Sequence, residues 1–506
     1  MVGRKILLNI VSNYTSRIWN FIAIYVFTPI FLKYFGIESF AIISFYALTL
    51  GTMSFADAGL SSAITREFAK SQPVFDKFRI LRKLEYIYVL ICLFVATLIF
   101  FTAPLIAKYW LKVESTNVIN LIYYIRLIGV GIGFQLLSTI YFGSLMGLGL
   151  QVYPNSIQLL WGLLKNFGIV IIYNLYKIDI QFFFIWQIIC NVIYVLFLRV
   201  MTLHLLKKDN TPLISINKNK ILSDELVKYI FGMSLISVIS ALNIQADKII
   251  ISKLFTLKEF GYYSLASTIA QIPLVIATPL SIVAFPDMTK KNYEKKEEDT
   301  LIIFERYSFA ITTIVTIIGC CLLLFTKEVV LIWLGEKAFS AKNLSLIVKV
   351  TQLLLLGGTF LSLQLMPYYL LLSKGLTKFT IIQGVVQLGF SIPASYFFIT
   401  RYGILGIGFP WLIINVGAFV FLNYILYRDI IKKNFFKLIN QCLIIPSIVN
   451  IFISLMYYIF FYYSLNTVSF IVPCILLVST SLIINVVIYI FIKSQTSNST
   501  IKKIIY

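Results

Sequence analysis

Runs of about twenty apolar residues, separated by short polar loops, recur along this chain and set the limits on its fold. About fourteen such runs lie near 8–32, 40–63, 84–107, 118–142, 155–175, 180–202, 229–252, 260–284, 306–327, 344–372, 379–399, 404–427, 442–463 and 468–492. As an α-helix, each run crosses roughly 30 Å of hydrocarbon with its backbone hydrogen bonds satisfied internally. The composition agrees. Of 506 residues, 59% are hydrophobic and 13% charged, whereas soluble domains carry about a quarter charged residues. The expected fold class is all-α, a polytopic membrane protein with about 14 transmembrane helices.

The net charge of +22 would suggest nucleic acid in a soluble protein. Its distribution says otherwise. With a cytoplasmic N-terminus and alternating loops, 26 of the 43 Lys and Arg fall on the cytoplasmic side and about ten outside. This is the positive-inside pattern, and it places both termini in the cytoplasm. No nucleic-acid partner is needed. The longest polar loops, 203–228 and 285–305, are cytoplasmic, so no outside catalytic domain is expected. The N-terminus "MVGRK" runs straight into a span without a cleavage site. Six cysteines sit in apolar stretches without metal spacing, and His204 is the only histidine. No G-x-x-x-x-G-K-[ST] loop is present. These features predict no catalytic residue, metal or cofactor, and no enzyme.

The chain also resembles itself. "KYFGIESFAIISFYAL" (33–48) aligns without gaps with "KLFTLKEFGYYSLAST" (253–268), an offset of 220. At the same offset Lys70 meets Lys290, Glu85 meets Glu305, and Glu67 meets Asp287. The expected organisation is a six-helix lobe over 1–220, a second over 221–440, two further helices over 441–492 and a cytoplasmic tail over 493–506. Six is even, so both copies enter the membrane in the same direction. They are parallel repeats, expected to flank a central cavity.

Ionisable residues within spans are expensive and usually face a bundle interior or water. Arg126 lies about nine residues into its span, Lys165 about ten, and Arg17 is also deep. These three are the candidate substrate-binding cations. Arginine grips phosphate with a planar fork and lysine acts as a point charge. A cavity lined by them suits an anion. Asp57, Asp247 and Lys248, nearer span ends, are candidates for coupling or ion pairing. Tyr123, Tyr124, Trp161 and Trp186 are aromatics for packing or for stacking on a ligand.

Three stretches carry a resemblance: the opening "NIVSNYTSRIWNFIAIYVFTPIFLKYFGIESFAIISF", "FADAGLSSAITREFAK", and "ADKIIISKLFTLKEFGYYSLASTIAQIPLVIATPLSIVAFP". They resemble the polysaccharide-export branch of the multidrug/oligosaccharidyl-lipid/polysaccharide (MOP, MATE-like) exporter superfamily, and more closely O-antigen flippases of the Wzx type. The resemblance implies two six-helix lobes around a cavity and alternating access driven by an ion gradient. It implies an undecaprenyl-diphosphate-linked oligosaccharide as substrate. The implied partners are that lipid-linked oligosaccharide, membrane lipids and other polysaccharide-assembly proteins. A lipid II flippase or a multidrug extruder of the same superfamily is the alternative. An O-antigen polymerase or membrane glycosyltransferase is disfavoured by the short outside loops.

Overall fold

The computed structural model describes residues 2–57, 59–69, 74–208, 224–336, 339–431, 435–461 and 471–505. Within them the chain is helical and forms two compact units, Met1–Gly261 and Tyr262–Tyr506. The sequence-derived boundary at 220/221 lies outside the described residues.

In the first unit, α1 (Val2–Met53) joins the first two predicted spans. At 1.5 Å per residue its 52 residues would reach about 78 Å, far more than one crossing needs. The rod breaks at Gly36, whose φ of 78° and ψ of 172° suit a residue without Cβ. A 3-10 turn, Ser54–Asp57, leads to the short amphipathic α2 (Leu60–Ala69). Then come α3 (Val74–Leu105), α4 (Val118–Gly147), α5 (Val152–Tyr176), α6 (Ile180–Lys208) and α7 (Asp224–Leu254). Helix α4 is the centre of this bundle and packs against α2, α3 and α6. Helix α7 packs on α1, α2 and the Ser54–Asp57 turn.

The loop between α3 and α4 is tied down by one buried carboxylate. Glu38 accepts the backbone N–H groups of Glu114 at 3.0 Å, Ser115 at 3.1 Å and Thr116 at 3.3 Å. The same loop grips the break after α7. The Lys112 ammonium donates to the Leu254 carbonyl at 2.7 Å, and Trp110 Nε1 donates to Ser252 Oγ at 3.0 Å. Lys258 pairs with Glu114 at 2.7 Å and holds that exposed carboxyl below its ordinary range.

The chain continues through α8 (Leu257–Ala270) into the second unit. This holds α9 (Ile272–Tyr293), α10 (Glu297–Leu324), α11 (Thr326–Leu334), α12 (Ala341–Leu363), α13 (Leu365–Ser373), α14 (Thr377–Tyr402) and α15 (Gly408–Ile425). Its apolar core includes Met288, Phe304, Met366, Leu370 and Leu422. After α16 (Phe435–Ile439) come α17 (Ile445–Phe461) and α18 (Ile471–Ile505). Helix α18 continues through the segment expected to be a tail. Asn450 of α17 ties α10, α17 and α18 together. Its Nδ2 donates to the Thr313 carbonyl at 2.9 Å and to Thr316 Oγ1 at 2.7 Å, and its Oδ1 accepts from Asn485 Nδ2 at 2.7 Å. Such uncharged bridges join helices where the hydrophobic effect between them is weak.

Eleven helices among the described residues are long and apolar enough to cross a membrane. Two of these runs, Val11–Asp57 with 47 residues and Lys378–Ile431 with 54, are over twice the length of one crossing. The predicted boundaries agree with the helices to within a turn or two for most spans. The gap between α7 and α8 falls at 255–256, and Thr256 is 220 residues beyond Gly36, so both aligned segments break at the same place.

The Glu38 anchor is testable. Glu38→Gln removes the charge that three N–H groups share and should lower the unfolding free energy by about 2–3 kcal/mol. Unfolding in mixed micelles against rising SDS would measure this. An unmoved midpoint would mean that the Lys258–Glu114 side of the loop suffices.

Candidate functional site

Lys165 projects from the middle of α5 into an aromatic and amide cluster drawn from four helices. Its Nζ lies 4.8 Å from the centre of the Trp161 ring and 5.4 Å from that of Tyr46 on α1. Trp161 stacks on Tyr194 of α6 at 4.8 Å and donates its indole N–H to Asn191 Oδ1 at 3.2 Å. Asn191 Nδ2 donates to the Gly131 carbonyl of α4 at 3.0 Å. The Tyr46 hydroxyl donates to Gln135 of α4 at 2.9 Å. These bonds tie the Trp161 indole, the Asn191 amide and the Tyr46 hydroxyl into one frame that holds the rings around the ammonium.

The local sequence explains how α5 fits. In "WGLLKNFG" (161–168) Lys165 stands three residues from a glycine on each side. A Cβ on Gly162 would stand 2.8 Å from Trp19 Nε1, and one on Gly168 would run into the Trp186 ring. The glycines let α1 and α6 close on α5 and shut the cage.

Among the described residues, Lys165 pairs with no carboxylate. Two ring faces give about 0.5–2 kcal/mol each, depending on desolvation. A lysine at a helix centre costs about 2.5–3.5 kcal/mol on insertion scales. The rings therefore offset the charge without neutralising it, and the ammonium keeps its capacity for an anion. One turn away on the same face of α6 as Asn191, Gln187 is buried with neither its amide nitrogen nor its oxygen hydrogen-bonded.

Arg126 is elsewhere. Its guanidinium lies over Phe100 of α3 at 4.5 Å, and its Nε is buried without a hydrogen bond. At 100° per residue, Gln135 is about 180° around α4 from Arg126 and Gly131 about 140°. Arg126 therefore faces α3, and Lys165 belongs to the opposite side of α4. The structure does not bring the two cations together. Arg17 lies on α1, but its side chain falls outside the described residues.

Asp57 closes the turn between α1 and α2. It accepts Ser61 Oγ at 2.6 Å and Thr139 Oγ1 of α4 at 3.2 Å, and it also accepts the hydroxyl of Tyr88 on α3. No basic residue among the described ones pairs with it. Asp247 and Lys248 are half-buried on α7, the helix packed against that turn. The sequence reading missed a neighbouring pair: Arg199 Nε of α6 lies 2.8 Å from Glu85 Oε1 of α3, which also accepts from the Tyr141 hydroxyl at 2.6 Å. Both charges lie within or at the ends of apolar runs, which is the one signal that could have marked them. Of the four aromatics considered for stacking, Trp161 lies against a cation, while Trp186 donates to the Leu164 carbonyl and Tyr124 packs on Phe184.

This architecture has known counterparts. The structure of the lipid II flippase MurJ in an inward closed conformation aligns at TM-score 0.70 and 16% identity, over 98% of this chain and 100% of that one. An inward-facing multidrug resistance MATE family transporter of the MOP superfamily aligns at TM-score 0.62 and 13% identity, over 81% of this chain and 94% of that one. The chain thus has the fold of MOP-superfamily transporters and is a multi-pass membrane protein. Residues 167–343 match the family described as "Polysaccharide biosynthesis protein". A Shigella flexneri protein named "Putative O-antigen transporter" is 24% identical over 189 residues, 36% of this chain and 42% of that relative. The match spans less than half of the relative's length. The resemblance to polysaccharide exporters read from the sequence is borne out.

The contrast between Lys165 and Arg199 gives a prediction. Lys165→Met orphans no carboxylate and should leave the SDS unfolding midpoint unchanged or raised. Arg199→Met strands Glu85 and should cost about 1–3 kcal/mol, the pair being only partly buried. Equal destabilisation by both would mean that Lys165 is a structural charge.

Proposed function

We propose that this protein is a flippase that moves a lipid-linked polysaccharide repeat unit, of the O-antigen kind, across the bacterial inner membrane. Transfer runs from the cytoplasmic to the periplasmic leaflet by alternating access. The observation that carries this reading is the Lys165 cage: a cation held by rings, paired with no carboxylate among the described residues, inside a transporter-type bundle. Such a group can meet the diphosphate of a polyprenyl-linked sugar and offset the cost of drawing two negative charges from water. Arg126 and Arg17 would act at other points of the path. The enzyme reading has no support in the fold.

Within the superfamily, the coverage favours a lipid-linked glycan over a drug. The alignment with MurJ runs the whole length of that chain, while the MATE alignments leave about a fifth of this chain uncovered. A lipid II-type substrate is therefore the second reading.

The test is complementation of a strain lacking its own O-antigen flippase, at matched protein levels. Lys165→Ala should cut long surface polysaccharide at least tenfold and leave the lipid-linked unit facing the cytoplasm. Lys165→Arg should restore part of it. Full activity of the alanine variant would remove Lys165 from the site. Failure of wild type with every O-antigen unit, together with rescue of a strain depleted of its lipid II flippase, would establish the second reading.

A further inference from the structure

We infer that Asp57 is a proton-loading site whose charge state sets the link between α2 and the α3–α4 pair. The inference stands on the surroundings of Asp57 and does not depend on the substrate.

Three buried or partly buried carboxylates of the first unit, Glu38, Glu85 and Asp57, have different kinds of partner. Glu38 is held by backbone N–H groups, which can only donate. Glu85 is held by the Arg199 guanidinium, which has no acceptor, and by one hydroxyl, from Tyr141. Protonating Glu38 would set a proton against donors, and protonating Glu85 would undo its ion pair. Asp57 is held by three hydroxyls, from Ser61, Tyr88 and Thr139. A hydroxyl donates and accepts, so this shell can serve both charge states.

The route for the exchange is present. Thr139 Oγ1 lies 3.2 Å from Asp57 Oδ1 and 2.7 Å from the Leu136 carbonyl. In the charged state Thr139 can donate to Asp57. When a proton from solvent forms an O–H bond on Oδ1, the carboxyl goes from −1 to 0 and donates to Thr139 Oγ1. Thr139 then turns its own proton to Leu136. No other bond forms or breaks, and no donor is stranded.

The contacts favour a proton over a metal ion. Ser61 Oγ sits 2.6 Å from Oδ2, and the other hydroxyls are in direct hydrogen-bond contact with Oδ1. An ion coordinated between them would have to push these groups apart. Place matters as well. Asp57 ends the turn joining α1 to α2, so its bonds to Tyr88 and Thr139 attach that turn to α3 and α4. The titratable groups on the elements packed against it include Tyr88, Cys92 and the paired Glu85 on α3, Tyr141 on α4, Arg66 and Glu67 on α2, Tyr46 on α1, and Asp247 and Lys248 on α7.

Infrared difference spectroscopy of the full chain in lipid nanodiscs, titrated with pH, tests this. A protonated-carboxyl C=O band should grow as pH falls, persist in E38Q and D247N, and vanish in D57N. Y88F keeps the carboxyl and changes one hydroxyl, and it should displace the midpoint by about one pH unit. At one fixed pH, D57N should speed amide hydrogen exchange across 54–69 severalfold over wild type. The same band in D57N as in wild type, or a midpoint unmoved by Y88F, would overturn the proton site. A midpoint that follows sodium concentration at constant ionic strength would overturn it in favour of a metal ion. Unchanged exchange in D57N would remove the coupling to α2.

Discussion

A charge in hydrocarbon has to be answered by something, and the kind of answer decides what that charge can do. Insertion scales put an unanswered one at about 2.5–3.5 kcal/mol, and isolated-helix estimates are higher. Glu38 is answered by backbone N–H groups and becomes a fixed anchor. Arg199 and Glu85 answer each other and fix α6 against α3. Lys165 is answered by rings, which lower its energy but leave its charge in place. Asp57 is answered by hydroxyls, which accept either protonation state. The first two arrangements hold the bundle together. The last two leave the charge able to change or to be met by a ligand.

Most of the fold was legible in the sequence because a bilayer allows few solutions. A run of about twenty apolar residues must be a helix, and its ends must be polar. What the runs did not reveal was continuity. Spans read separately at 8–32 and 40–63 are one rod broken at Gly36, because a single glycine with positive φ takes the place of a loop. The span read at 260–284 is interrupted at Gln271, where Pro273 enters α9 in its first turn. Lys33 and Glu38 mark the first break as a gap between runs, whereas the second falls inside an apolar run with Gln271 alone to mark it.

The candidate site was legible in depth but not in direction. Counting residues from a span end placed Arg126 and Lys165 near the midplane alike. It could not say which way α4 is turned. That orientation is fixed by the packing of α3 and α6 on α4, and it sends Arg126 to Phe100 while Gly131 and Gln135 join the Lys165 frame. The cage draws on positions 46, 131, 135, 161, 191 and 194, and no local pattern links residues so far apart in sequence. Asp57 shows the same limit. Its depth suggested coupling or an ion pair, but the choice rests on Tyr88 and Thr139, which tertiary structure alone brings to it.

The two units place their polarity differently. Among the described residues, the buried charged ones, Glu38, Glu67 and Lys77, all lie in the first unit. In the second, ion pairs such as Lys374–Glu297 have an exposed partner, and the described buried bridges are uncharged: the Asn450 junction of α10, α17 and α18, and a chain from Gln383 through Gln364 to Asn415. Beside the Asn450 junction, a cavity of about 590 Å³ bounded by Leu356, Phe419, Ile448 and Ile451 is almost wholly apolar. Helix breaks fall at the same point of the two aligned segments, 220 residues apart. A bundle that shifts its helices around a buried charge must reorder that charge's partners at each step, whereas an amide–hydroxyl junction can hold through the same movement. On the proposed reading, an anion and a proton are handled in the first unit, where rings hold Lys165 and hydroxyls hold Asp57.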